Sequence, residues 1–397
     1  MVIEPYRRLL AIPGVRSLLL VGLVARVPST AVGITLTLHV TGLGLGFGAA
    51  GLVTLTSTVG MAVGSPLTGR FIDRVGLRPV LAVTTLAQLV FWATAWAMSF
   101  PVLLVASVLA GLLSLPVFSV IRQCLAALVP ADQRRMGFSL DSMIVELSYM
   151  VGPALAVAGV VAFGSVWTMC ILAAGLVGSG TTLILLNPPV RSTEELQASG
   201  EKVSRRQWLT PGLLTVLGTV SAATFVLTAT ELALVATMKT SGDTAWVGLA
   251  IGLWCAYSLT GGFVYGMLPR GLSPLVLVGA MGALTVPVGL VGGGWHWLLL
   301  ALLPAGVLCA PALSSTVDTV SRWVPAAARG EAMGLHGTAL LIGGASSAPI
   351  AGAIIDSAGP GWAFTVAGAF SVVMVLIALP FWRRSGSPAG APVPVTV

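Results

Sequence analysis

The chain has 397 residues, of which 56% are hydrophobic and only 8% charged, with a formal net charge of +7 and four cysteines. Apolar stretches of about 20 residues or more recur about every 30 residues, and such a run, rising 1.5 Å per residue, crosses a bilayer's hydrocarbon core. This excludes a soluble globular protein and leaves function to the few polar groups inside the membrane.

In chain order, the N-terminus MVIEPYRRLLAIPGVRS is polar and runs into a span too long for a signal peptide's apolar region, so no cleaved leader is expected. Twelve spans are predicted near 17–40, 47–69, 79–99, 102–129, 138–163, 167–187, 212–238, 246–268, 275–293, 296–324, 333–355 and 362–382. Residues 191–211, within the polar stretch Pro188–Pro211, read as a linker between two halves. The tail 385–397, SGSPAGAPVPVTV, is Pro/Gly-rich and expected to be disordered. Seventeen of the 20 Lys and Arg fall at the ends and in alternate loops, while the opposite loops carry only Lys239. This bias places both termini in the cytoplasm of a plasma-membrane protein. It also accounts for the basic charge through anionic lipid, without nucleic acid.

The cysteines Cys124, Cys170, Cys255 and Cys309 lie in apolar surroundings without metal-type spacing, and His39, His296 and His336 are too scattered for a metal cluster. Trp208, Trp246, Trp295, Trp297, Trp323, Trp362 and Trp382 sit near span ends as interface anchors. The GLGLGFG stretch from Gly42 follows a span rather than a strand and reads as a flexible loop. No Walker-type phosphate loop occurs, which disfavours an ATP-driven pump.

The two halves repeat one design. PVFSVIRQCLAALVPADQRRMGFS from Pro116 matches PALSSTVDTVSRWVPAAARGEAMGLH from Pro311: each has a Pro, a Val-Pro further on, a basic loop and a Met-Gly opening the next span. Gly152-Pro153 and Ala348-Pro349 follow in corresponding spans, where either proline can bend its helix. Six spans plus six, joined by a hydrophilic linker, is the layout of a transporter built from two pseudo-symmetric bundles, here 1–190 and 212–384.

Between spans 2 and 3 lies GRFIDRVGLRP, with Gly69, Asp73, Arg74, Gly76 and Arg78. It resembles the signature loop of the major facilitator superfamily, and the resemblance covers all twelve spans. It implies an all-α membrane protein, twelve helices in two six-helix bundles, working by alternating access. The residues make sense unaided: glycine permits close approach, and Asp73 can accept charge-assisted hydrogen bonds from arginines or a helix N-terminus. Such contacts form in one state and break in the other, or the arginines simply fix topology. SYMVGPALAV in span 5 is similar to a reduced Gly-Pro signature of the superfamily's drug/proton antiporters, keeping Gly152 and Pro153 and replacing the outer glycines by Ser148, Ala156 and Val157. The membrane-embedded Arg usual in span 4 of that family corresponds to Ser107 here. Arg26 in span 1 is a candidate to take over.

Arg26 and Glu146 of span 5 lie at similar depth near mid-membrane and are expected to pair, either as a proton-responsive couple or as a permanent structural ion pair. Glu231, deep in span 7, is a candidate for a cationic substrate or a proton, or an acid that snorkels to the interface. Arg122 and Asp141, near the ends of spans 4 and 5, form either a gate network with Asp73 or a static ion pair. Asp318 is expected to pair locally with Arg322. Trp254 in span 8 is either a stacking platform for an aromatic ligand or a packing residue.

These readings favour proton-coupled export of small lipophilic compounds or drugs by a monomer that needs no cofactor beyond the proton gradient. A carrier of one metabolite and a non-transporting membrane sensor are the alternatives. No metal, nucleophile or acid–base cluster supports an enzyme.

Overall fold

A computed structural model describes residues 4–192, 195, 203–243, 246–268, 270–291 and 294–384. Among them ten helices are long and apolar enough to cross a membrane. One of these, Arg134–Leu186, is two spans that meet at Gly164, whose φ of 81° only glycine adopts without strain. The shorter apolar helix Pro274–Leu290 completes twelve. We label them α1 Val15–Gly42, α2 Gly48–Val75, α3 Leu77–Ala97, α4 Phe100–Leu128, α5 134–163, α6 165–186, α7 Pro211–Thr240, α8 Val247–Met267, α9 Pro274–Leu290, α10 Trp295–Trp323, α11 Ala326–Ala358 and α12 Pro360–Trp382.

The internal repeat shows in the breaks. α4 is interrupted between Leu112 and Val117, where Pro116 removes a donor; α10 is interrupted after Gly306, before the helix Cys309–Trp323 that holds the matching Pro311. α9 ends earlier than the predicted 293, because Pro287 and Gly289 tighten its last residues into a 3₁₀ turn, Val286–Leu290. The polar N-terminus is itself structured. Glu4–Ala11 is an amphipathic helix that buries Tyr6 and Leu9. The predicted disordered tail 385–397 and Lys202 of the linker lie outside the described residues.

α1–α6 pack on one another, as do α7–α12, and the two sets meet chiefly through α2 against α11 and α5 against α8. One apolar core spans both sets. It joins Leu9, Leu19, Ile121 and Phe138 to Trp208, Val317, Val320 and Met333, at the end of the molecule that carries the termini. At the opposite end the cores separate: Leu36, Trp92, Leu103 and Met169 belong to one set, Leu234, Leu298, Leu302 and Phe364 to the other. The bundles are therefore closed at the terminal face and parted at the opposite face.

Candidate functional site: the bundle interface

Closure at the terminal face is built on α2 against the first turn of α11. A Cβ on Gly69 would lie 2.0 Å from the Gly330 carbonyl, so glycine is what lets the backbones touch. Four residues on, Asp73 reaches across. Its Oδ1 accepts from the Gly330 N–H at 3.0 Å and its Oδ2 from the Glu331 N–H at 2.9 Å. These are first-turn donors without an intrahelical partner, at the positive end of the helix dipole, so the carboxylate of one bundle caps a helix of the other. Gln123 Nε2 donates to Oδ1 at 2.9 Å and Arg191 holds the Asp73 carbonyl at 2.8 Å. Gly76 then ends α2 at φ 89°.

Of the signature arginines, Arg78 donates to the Ile184 carbonyl at the end of α6, inside its own bundle, and Arg74 is exposed beside a cleft of ≈ 370 Å³ shared with Arg70, Arg205, Trp208 and Glu331. Glu331 pairs with Arg205 and, at 3.9 Å, with Arg70. Arg329 binds Glu195 of the linker through both carboxylate oxygens, at 2.7 and 3.1 Å. Burial opposes the Glu195 charge, but Arg329, the Ser192 amide and Arg134 outweigh it and hold this carboxyl below its ordinary range. Tyr6 of the N-terminal helix stacks on Phe263 of α8 at 4.7 Å and donates to the Phe263 carbonyl at 2.7 Å. Burial raises its phenol to about 12, so it stays a neutral donor.

Deeper lies a buried charge cluster. Arg26 Nη2 binds Asp141 Oδ1 at 2.7 Å, and Arg122 Nε binds Asp141 Oδ2 at 3.3 Å. The expected Arg26–Glu146 pair is not formed. Asp141 and Glu146 are five residues apart, about 140° around a helix at 100° per residue, so they face different neighbours. Asp141 faces α1 and α4. Glu146 faces α8, where Ser258 Oγ donates to its Oε1 at 2.5 Å and in turn accepts from the Ala310 N–H at 3.0 Å. Glu146 Oε2 is buried without a partner, as are Arg26 Nε and Nη1. The Arg26 guanidinium stands over the Phe118 ring, 5.3 Å from its centroid.

Gly152 faces α1, where an added Cβ would meet Thr30 Oγ1 at 2.1 Å, and Pro153 follows inside the helix. Of the residues that stand for the outer glycines, Ser148 and Ala156 are buried and Val157 is exposed. Glu231 is exposed on the opposite-face half of α7. Trp254 does not offer a stacking platform: it is buried in the second bundle's core, its ring edge against Gly306. Arg322 pairs with Asp318 at 2.9 Å, as its spacing predicts.

The Major Facilitator Superfamily model matches residues 18–316. A chloramphenicol resistance protein from Streptomyces lividans is 30% identical over 371 residues, covering 85% of this chain and 88% of that protein.

The chain belongs to the major facilitator superfamily.

Solved structures with the same fold include a bacterial homologue of the iron transporter ferroportin in an outward-facing state (18% identity, 94% of this chain and 99% of that chain, TM-score 0.71). The Escherichia coli fucose:proton symporter is another (14%, 92% and 98%, TM-score 0.70), as is the human organic anion transporter MFSD10 (17%, 92% and 100%, TM-score 0.69). The protein is a membrane transporter of this superfamily, and the structure holds one such closure. Sequence reasoning missed several of the residues that make this one: Gln123, Ser258, Arg329, Glu331 and His336. Asp73 takes the second of its two expected partners, a helix N-terminus rather than an arginine, whereas Ser258 is one serine among many in an apolar run.

Proposed function

We propose that this transporter exports small lipophilic compounds from the cytoplasm in exchange for protons. Its termini, linker and closed face would be cytoplasmic, so that the structure corresponds to its outward-facing state. The observation that carries this reading is Glu146. A carboxyl at the bundle interface, bonded across it by Ser258 and with Oε2 unpartnered, is a group whose protonation changes what holds the bundles together. Uncharged, it loses much of the attraction to Ser258. Charged, it needs that partner or water. Beside it, a cavity lined by Val32, Met61, Phe91, Leu115, Phe118 and Tyr149 has no charged side chain in its wall, which suits lipophilic cargo. The similarity to a chloramphenicol resistance protein makes neutral aromatic antibiotics of that kind the first compounds to test.

The test is efflux from proteoliposomes under an imposed pH gradient. Transport of chloramphenicol or another lipophilic antibiotic should follow the gradient in the parent, and Glu146→Gln should abolish gradient-driven flux while retaining substrate binding. Flux that ignores the proton gradient, or a Glu146→Gln variant that keeps gradient-driven flux, refutes the exchange reading.

A further inference from the structure

His336 of α11 is buried completely in the bundle interface, and its two ring nitrogens have different partners. Nδ1 lies 3.3 Å from Arg122 Nη1 of α4, and Nε2 lies 2.9 Å from Thr316 Oγ1 of α10. A guanidinium has donors only, so Nδ1 must be the acceptor and carry no proton. Thr316 uses its one O–H on the Leu313 carbonyl at 2.7 Å, so towards the imidazole it is an acceptor and Nε2 carries the hydrogen. The partners thus assign a single neutral tautomer. The chain of donors runs from Arg122 in one bundle, through His336, to Thr316 and Leu313 in the other.

Charge makes this chain one-way. Behind Arg122 stand Asp141 of α5 and Arg26 of α1, so two guanidiniums share one carboxylate in a site without solvent. The other ionisable groups on helices packed against α11 are already engaged or distant. Asp73 of α2 caps the α11 N-terminus, Asp318 of α10 is paired with Arg322, and Glu231 of α7 lies in the opposite half. On α11 itself, Glu331 is held by Arg205 and Arg329 by Glu195. None of these supplies a second negative charge to His336.

We propose that His336 is a proton-binding site whose occupation releases the terminal-face closure. A proton forms a bond to the Nδ1 lone pair. The hydrogen bond from Arg122 is lost, an N–H now faces an N–H, and the site gains one positive charge beside an excess cation. The strain is relieved when α11 moves away from α4, which is the motion that opens the terminal face. This rests on the exchange reading above and deepens it: a proton taken up in the present state would drive the transporter towards the state that loads cargo from the terminal side.

Spin labels on Val75→Cys and Leu272→Cys, exposed positions on either bundle at the terminal face, report the separation directly in a background with Cys170 and Cys255 replaced by serine. No substrate is required. In the parent, the separated population should rise several-fold between about pH 8 and about pH 5, the range across which a histidine titrates. His336→Asn keeps an acceptor at the place of Nδ1 and cannot take a proton, so its rise in separation on acidification should be several-fold smaller than the parent's, leaving only what the carboxyls Glu146 and Asp73 contribute. His336→Arg, which stays charged, should be separated already at about pH 8. A parent whose distances ignore pH overturns the proposal without any variant. So does a His336→Asn protein whose opening on acidification equals the parent's. Flux under a proton gradient judges the exchange reading separately, and gradient-driven flux with pH-insensitive distances would leave that reading standing while removing His336 from it.

Discussion

Asp73→Asn isolates the closure at the terminal face, because the side chain keeps its shape and loses its charge. In the closed state the carboxylate accepts from Gly330 N–H at 3.0 Å, Glu331 N–H at 2.9 Å and Gln123 at 2.9 Å. An amide offers one oxygen, so one of the two α11 N–H groups is left facing an NH₂. Hydrogen bonds to a charged group contribute about 1.5–3 kcal/mol each, and a charge at a helix N-terminus about 0.3–1 kcal/mol. In the open state Asp73 exchanges these donors for water. The loss of one bond and the dipole interaction therefore shifts the balance by about 2–4 kcal/mol towards the open terminal face. At 1.4 kcal/mol per tenfold, that is roughly a 30- to 700-fold change in the ratio of states. The assay is the separation of labels at the terminal face, together with substrate binding and transport. Transport should fall more than binding, since the central cavity is untouched. An Asp73→Asn protein with the parent's distribution of states and the parent's flux would refute the capping argument.

Asp141→Ala should cost roughly 3–5 kcal/mol of stability, because it strands the buried Arg26 and Arg122, whereas Arg26→Ala leaves Asp141 paired with Arg122 and should cost clearly less; Arg26 and Glu146, which do not touch, should be close to additive in the same thermal unfolding measurement. Glu195 has a depressed carboxyl, so its contribution to closure is fully present above the ordinary carboxylate value of about 4.3 and fades as pH falls through its lower folded value; Glu195→Gln should remove that acid-side loss from the melting-temperature profile. Glu231→Gln should weaken binding of cationic substrates selectively, and equal losses for neutral and cationic compounds in a binding assay would remove the acid from substrate recognition. If the termini are cytoplasmic, an impermeant thiol reagent applied to intact cells should label Ser241→Cys and spare Arg206→Cys, and the reverse pattern would invert the orientation.

The spans were legible because bilayer thickness sets a length scale that a sequence must meet with apolar residues. Asp73 was legible for a similar reason: a carboxylate set among arginines at a span end has few other uses. The partner of Arg26 was not legible. Asp141 lies nearer the end of α5 and Glu146 five residues deeper, both within reach of a long arginine side chain, and choosing between them needs the rotation of α5 about its axis. That rotation is fixed by tertiary packing, by Gly152 against Thr30 and Val27 of α1, and not by any local preference. His336 was hidden by the same degeneracy. A lone histidine in an apolar helix carries no periodic signal, and its meaning comes from Arg122, 214 residues away in sequence. Trp254 shows the converse error, where size and depth suggested a ligand platform and a neighbouring glycine, Gly306, provided a packing slot instead.

Three of the polar contacts across the interface that involve an ionisable side chain sit at three levels: Asp73 on the α11 N-terminus, Arg122 on His336, and Glu146 on Ser258. Added together at their usual strengths they would hold the terminal face shut beyond the few kcal/mol over which a transporter can switch. Each is therefore useful only if something cancels it on demand. The Asp73 cap joins a carboxylate to backbone donors at a helix N-terminus, so a proton on Asp73 would weaken it. The two deeper contacts also pass through groups that exchange protons, a carboxyl and an imidazole. All three can therefore yield to protons, from the clasp at the surface to the bonds nearer the membrane centre. The opposing closure must come from the same helix pairs, α2 with α11 and α5 with α8, in their other halves. There Gly51 of α2, Gly252 of α8 and Gly352 of α11 have open space where a Cβ would stand, room for backbones to approach when the bundles rock the other way.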